Sequence, residues 1–284
     1  MKQLLFLGLL IALTVEPLLA QDKTDDYVYG LFRGTRVVNG QSVESQKEGE
    51  LDFVIAHRFG RVNGGAYEFF GLDQATMRWG LEYGIKDWVS VGFGRSTVWK
   101  AYDGFAKFRI LRQTQGRSVN VPVSISAFSS IAINTLRPVD NLPVPFQTRL
   151  TFANQLLIAR KFGDVFSFQL TPTHIHLNLV DTPNDPNDIF AVGAAAKVQV
   201  SKNVGVTLEY FYNLPNQLPT DRKDAIAVGI DINTGSHVFQ LHFTNANSMI
   251  EQGFITTTTG DWLNGDIHIG FNMIRTFKLK GRRY

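Results

Sequence analysis

Twelve runs of this sequence alternate apolar and polar residues, and the links between them alternate short and long. The stretch 158–172, IARKFGDVFSFQLTP, shows the unit. After the turn residues KFGD, Phe166, Phe168 and Leu170 fall on one side and Ser167, Gln169 and Thr171 on the other. A period of two belongs to a β-strand with one apolar and one polar face. The same reading predicts strands at 50–59, 74–84, 87–95, 103–113, 121–133, 146–160, 164–176, 189–200, 204–212, 225–232, 237–244 and 266–277. Tight links fall at 85–86, 161–163, 201–203 and 233–236, and a somewhat longer one at 113–120. Between them lie Pro-, Gly- and Asn-rich segments at 60–73, 96–102, 134–145, 177–188, 213–223 and 245–265. An even number of antiparallel strands, with turns at one end and loops at the other, is the layout of an up-and-down membrane barrel. A soluble sandwich is crossed by Greek-key connections and has no reason for this order.

The strand faces decide which side meets lipid. Leu51, Phe53, Ile55 and Phe59 oppose Asp52, Ala56 and Arg58, and Met77, Trp79, Leu81 and Tyr83 oppose Thr76, Arg78, Gly80 and Glu82. Strands further on repeat the pattern, with Asn154 a polar interruption on the apolar side of its run. Aromatic residues gather near strand ends, at Trp79, Tyr83, Trp88, Tyr210 and Tyr212, as in the girdles of a barrel wall crossing a lipid boundary. The reading is therefore inverted relative to a soluble protein: Phe166 and Phe168 face hydrocarbon, Ser167 and Gln169 a wet interior. The fold class expected is all-β, a transmembrane antiparallel up-and-down β-barrel of about twelve strands, with short periplasmic turns and longer extracellular loops.

The ends support export. Residues 1–20 carry Lys2, an apolar run from Leu4 to Val15, and Ala20 before a polar QDKTDD, the order of a cleaved signal peptide. The run is too short for a membrane helix, which needs about 20 apolar residues. Removing Lys2 and Glu16 leaves the net charge at +3, which argues neither for nor against a nucleic-acid partner. There are no cysteines, so neither disulfides nor thiolate metal sites hold the chain together. Residues 21–49 alternate too poorly for a wall strand and form an N-terminal periplasmic or lumenal segment, with 50–284 as the barrel. Within that segment Asn39-Gly40 is a hairpin signal that calls for positive φ at both residues. It predicts a small hairpin at 35–44, with a partly ordered lead-in as the plainer alternative.

The block GTRVVNGQSVE…GELDFVIAHRFG, continued through residue 96 and again in YDGFAKFRILRQ, resembles a bacterial β-barrel family of unknown function. The resemblance runs over most of the chain after the signal. It implies export and a barrel, and it brings no catalytic or binding residues with it.

Candidate chemistry is sparse. His174 and His176 form an H-x-H pair, a spacing at which two imidazoles can hold zinc or copper given a third ligand. Asp181 and Asp185 follow in the next loop. The plainer reading is two polar residues where a strand leaves the membrane, so the expectation is no metal and no cofactor. A lipid-cleaving enzyme needs a Ser–His pair held by a third group. No G-x-S-x-G occurs, and Ser167 and His174 lie on opposite faces, so no enzyme is expected. The residues expected to line the lumen are Arg58, Arg78, Glu82, Lys107, Arg109, Arg149, Lys197, Glu209 and Asp231. They read either as a constriction leaning toward anions or as salt-bridged pairs that fill a narrow bore. The expected protein is an outer-membrane barrel of a Gram-negative bacterium, a narrow pore in contact with lipid and small solutes and with no nucleic-acid partner. The alternative is a docking barrel for a periplasmic or surface protein.

Overall fold

A computed structural model describes residues 27–115, 120–138 and 144–279. The signal segment 1–20 and the final residues 280–284 lie outside the described residues. Twelve strands form one closed antiparallel barrel in sequence order, β1 pairing with both β2 and β12. They are β1 (Glu50–Arg61), β2 (Ala75–Lys86), β3 (Val89–Ser96), β4 (Tyr102–Leu111), β5 (Ser124–Ile133), β6 (Leu150–Phe162), β7 (Phe166–Leu177), β8 (Asp188–Gln199), β9 (Val204–Asn213), β10 (Ala225–Asn233), β11 (His237–Thr244) and β12 (His268–Lys278). Closure pairs every edge, which lipid requires because it offers no hydrogen bonds to an open strand.

The predicted strands recur with small shifts. The first tight link is Asp87-Trp88, not 85–86, because β2 runs through Lys86 with a register shift between Gly84 and Lys86. The strand predicted from 146 begins at Leu150, and residues 146–149 form a 3-10 turn. The inverted reading also holds. Met77, Phe93, Phe108, Leu170, Phe190, Leu208 and Leu241 point outward and are exposed, while Asp52, Arg58, Arg78, Glu82, Gln169 and Glu209 point inward and are buried. Among the described residues no helix is long and apolar enough to cross a membrane.

The interior is neither uniformly polar nor empty. Residues 27–49 run inside it. Tyr27 pairs with Thr114 beside the β4–β5 link, and Arg112 lies over the Tyr29 ring at 3.8 Å, so the segment starts at the short-turn rim. Gly30, at φ +69°, turns the chain inward, a bend for which glycine carries no Cβ penalty. Leu31, Phe32, Val37, Val38 and Val43 then pack on inward Phe105, Phe128, Leu157, Ala159, Ala195 and Ala227. From the long-loop end the β11–β12 connection also folds inward, carrying a single-turn helix α1 (Glu251–Thr256). Its Phe254 and Ile255 pack on Ala153, Ile175, Ile189, Ala191 and Phe211. Thr256, Thr257 and Thr258 each return a hydroxyl to the carbonyl four residues back, which caps so short a helix.

Candidate functional site: a lumen closed from both ends

The N-terminal segment folds as a hairpin whose bridge is Arg36 with Gln41, closed further by Val37 N–H donating to Gly40 O at 2.9 Å. The tip residues are thus Val38 and Asn39. Neither Asn39 nor Gly40 has positive φ, so the Asn-Gly turn expected from sequence is not the turn made. The reason is a carboxylate on the wall. Glu209 of β9 accepts from the N–H groups of Val38, Asn39 and Gly40 at 3.2, 3.1 and 3.0 Å. Consecutive N–H groups converging on one point form an anion cradle, and here the anion is a side chain of the barrel. Glycine is needed at 40 for close approach: a Cβ there would stand 2.8 Å from the Phe211 ring.

Further wall groups grip the hairpin by its backbone. Lys107 Nζ donates to the carbonyls of Thr35, Ser42 and Glu44 at 3.3, 3.1 and 3.0 Å. Lys197 Nζ donates to Gly30 O at 2.7 Å. Gln169 accepts from Val43 N–H and donates to Gln41 O, both at 2.8 Å. Gln240 donates to Val37 O at 2.8 Å and to Asp231 Oδ1 at 3.0 Å, and Asn272 donates to Val38 O at 2.9 Å. Arg58 donates to Asn39 Oδ1 at 3.0 Å, and Glu82 accepts from Thr35 Oγ1 at 2.7 Å and Gln46 Nε2 at 2.8 Å. Because these partners are mostly backbone atoms, the wall recognises the path of the segment more than its side chains.

Of the nine residues expected to line the lumen, Arg58, Arg78, Glu82, Lys107, Lys197, Glu209 and Asp231 are buried and inward. Arg78 does not touch the hairpin; its Nε donates to Asp103 Oδ1 at 2.9 Å, and its Nη2 bonds the other oxygen. Arg109 is half-buried near the short-turn rim and donates to the carbonyls of Asp87 and Ser45. Arg149 is not on a wall strand. It sits on the 3-10 turn before β6 and donates to Asn134 O at 3.1 Å and Leu136 O at 2.8 Å. Sequence reasoning placed Gln169 and Asn272 on the polar face but did not count them, or Asp103 and Gln240, among the lumen residues. All four stand at inward positions of their alternating runs, so the signal was present in the period of two.

The two inward pieces meet. Glu251 of α1 accepts from Arg36 Nη1 at 3.2 Å and from Gln41 Nε2 at 3.1 Å, and both Arg36 and Glu251 are almost fully buried. Above α1, toward the long loops, lies a cavity of about 440 Å³ bordered by Trp99, Arg149, Leu179, Leu218, Arg222 and Thr257. The β1–β2 and β11–β12 loops are tied together through Asp266, which pairs with Arg61 at 3.0 Å and accepts from Asn63 at 2.7 Å. The Asp261 N–H, Asn63 and the Arg61 guanidinium hold the Asp266 carboxyl below the usual carboxylate range.

The H-x-H pair lies outside the barrel. His174 Nε2 and His176 Nδ1 each stand 2.8 Å from Asp188 Oδ1, while Asp181 instead meets Arg222. Among the described residues no group of three or more His, Cys, Asp or Glu is placed to hold a metal ion.

A closed antiparallel barrel with an apolar outer wall and a polar, charged inner one defines a membrane-bound β-barrel protein. The chain belongs to the family of membrane-bound β-barrel domains (DUF5777), whose model matches residues 32–277. That span includes most of the inserted segment as well as the wall. A search of curated proteins found no match. Among solved structures, the chain is similar to a KdgM porin at 9% identity and a TM-score of 0.48, over 80% of this chain and 99% of that one. It is also similar to the COG4313 outer membrane channel from Pseudomonas putida F1 at 11% identity and a TM-score of 0.47, over 90% and 100% of the two chains. A third is the OmpF of Salmonella typhi, at 6% identity and a TM-score of 0.40, over 80% and 97%. Likenesses this distant say nothing of what the present barrel carries.

Proposed function

We propose that this chain is an outer-membrane barrel that acts as a non-enzymatic conduit for small solutes, held closed at rest by its own N-terminal segment. The observation that carries the reading is the chemistry of the wall beneath that segment. A bore filled permanently could be packed with apolar side chains, and buried charge adds little net stability over such packing. Beside its apolar contacts with the segment, this wall presents Lys107, Lys197, Glu209, Gln169, Gln240 and Asn272 to the segment's backbone. Each of these groups finds an equivalent partner in water once the segment leaves, which lowers the cost of opening. The short-turn end, where the segment enters and returns, faces the periplasm in this reading.

The inward charges do not support a lean toward anions. Arg58, Arg78, Lys107 and Lys197 of the buried wall stand against Asp52, Glu82, Asp103, Glu209 and Asp231. The docking barrel remains the second reading, favoured by the meeting of hairpin and α1 across the bore through Glu251.

Planar-bilayer recording separates the two. The full chain should be mostly silent. A variant with residues 31–44 replaced by a short Gly-Ser link, and 248–257 shortened likewise, should give long-lived conductance steps without anion preference. A variant that still shifts its gel mobility on heating, as a folded barrel does, yet stays silent would overturn the conduit.

A further inference from the structure

One buried titratable side chain of the wall takes no part in holding the hairpin. His242 of β11 points into the bore and is 2% exposed. Neither ring nitrogen makes a hydrogen bond among the described residues, although the Gln240 carbonyl lies within reach of the ring. The inward residues on either side of it do grip the hairpin. Gln240 donates to Val37 O at 2.8 Å, and Thr244 Oγ1 accepts from Asn39 Nδ2 at 3.2 Å. His242 therefore lies beneath the hairpin tip.

Register sets what the ring meets. Gly270 of β12 stands directly opposite His242 on one side and directly opposite Arg58 of β1 on the other. Gly229 of β10 stands opposite His242 on its remaining side. The two side chains meet over Gly270: a Cβ there would stand 2.4 Å from His242 Nε2 and 2.7 Å from Arg58 Cδ. Arg58 is almost fully buried and is held by neutral oxygens, His57 O at 2.9 Å, Asn272 Oδ1 at 3.2 Å and Asn39 Oδ1 at 3.0 Å. Of these three, Asn39 belongs to the hairpin. The other charged or titratable groups on the surrounding elements already have partners. Asp231 on β10 accepts from Gln240, and His268 on β12 has Nδ1 at 2.7 Å from Phe59 O. Glu209 on β9 holds the tip, and Arg36 on the hairpin pairs with Glu251 of α1.

A neutral imidazole suits this place and an imidazolium does not. A proton on His242 sets a second positive charge beside a guanidinium, out of water, with no carboxylate bonded to either. One movement relieves the repulsion. When the hairpin tip withdraws, water replaces Asn39 on Arg58 and reaches the ring. The open state then takes up a proton more readily than the closed one, so acid shifts the balance toward open. Imidazole is the side chain whose ordinary titration falls between pH 5 and 8. We propose that His242 is an acid-sensitive latch: on gaining a proton it repels Arg58 and frees the N-terminal hairpin from the wall. The proposal rests on the reading of that hairpin as a piece that leaves the bore.

Maleimide labelling of Ser42→Cys, fully buried on the hairpin, reads the undocking. It is taken as a ratio to the labelling of Tyr67→Cys, a position 95% exposed on the β1–β2 loop, so that the pH dependence of the thiol itself cancels. A hydrated imidazole titrating near 6.5 is about tenfold more protonated than neutral at pH 5.5, so the ratio should rise about tenfold between pH 7.5 and 5.5. Adding His242→Gln, or His242→Asn as a second neutral replacement, should flatten that rise. His268→Gln, which removes the neighbouring imidazole, should leave it in place. A flat ratio in the parent, a rise that survives both neutral replacements of His242, or one that vanishes in His268→Gln would each overturn the latch. Planar-bilayer recording at the same two pH values keeps the latch apart from the conduit. Labelling that rises in a barrel that stays silent counts against the conduit alone. A flat ratio in a barrel that conducts once the hairpin is deleted counts against the latch alone.

Discussion

Replacing Glu209 by alanine removes the acceptor shared by the three backbone N–H groups at the tip of the N-terminal hairpin. The carboxylate takes three backbone N–H groups, at 3.2, 3.1 and 3.0 Å, and is almost fully buried. A hydrogen bond to a charged group contributes about 1.5–3 kcal/mol net. Three donors share one carboxylate, so their contributions do not simply add. The substitution also relieves the cost of burying the charge, which trims the total from above. Leaving three N–H groups without an acceptor works in the other direction. An estimate of about 3–5 kcal/mol against docking of the hairpin follows, the scale seen when one member of a buried charged network is lost. At about 1.4 kcal/mol per tenfold, the population of the undocked state rises roughly 10²- to 10⁴-fold. Ser42, fully buried on the hairpin, offers the reporter. In a Ser42→Cys background, labelling by a membrane-impermeant maleimide should accelerate by that factor when Glu209→Ala is added. A labelling rate equal to the parent's would refute the clamp. So would acceleration that appears only when the whole barrel unfolds.

Other perturbations have outcomes as definite. Asp103→Asn leaves the Arg78 guanidinium buried beside a neutral partner and should cost about 3–5 kcal/mol in urea unfolding, whereas Arg78→Met with Asp103→Leu should cost less, since apolar packing replaces a buried pair at little net loss. Arg36→Glu should free both hairpin and α1, read as faster labelling at Ser42→Cys, and adding Glu251→Arg should restore most of the protection; no rescue would mean that the pair does not link the two pieces. The Asp266 carboxyl is depressed in the folded loops, so the tie it makes to Asn63 is fully present above the unfolded carboxylate value and is lost as pH falls through the lower, folded one. The Asn63 side-chain amide resonance should therefore stay fixed through pH 5–8, near neutrality, and move only below about pH 3.9, while an Asp266→Asn chain shows no such step.

Several of these features could be read before any coordinates. The alternation in IARKFGDVFSFQLTP assigned Phe166 and Phe168 to the outside and Ser167 and Gln169 to the inside, which is how β7 stands. Charges at inward positions, such as Lys107 and Glu209, followed from the same period. The hairpin between 35 and 44 was visible in its Asn-Gly, though the turn itself differs, because Glu209 draws three N–H groups toward it and sets a geometry that no local preference contains. Helix α1 was hidden within a segment that reads as loop, although Met249, Ile250, Phe254 and Ile255 are more apolar than an exposed loop needs.

What the chain determined by itself is the wall: the number of strands, their two faces, and the end at which each link lies. These depend on a period of two and on residues near one another in sequence, so they survive without knowledge of distant partners. What fills the wall was decided only in three dimensions. Residues 27–49 and 245–260 are far apart along the chain, and their place is set by Glu209, Lys107, Gln169 and Glu251, groups that converge only once the barrel has closed. The meeting of His242 and Arg58 over Gly270 has the same origin, since cross-strand neighbours exist only after register is fixed.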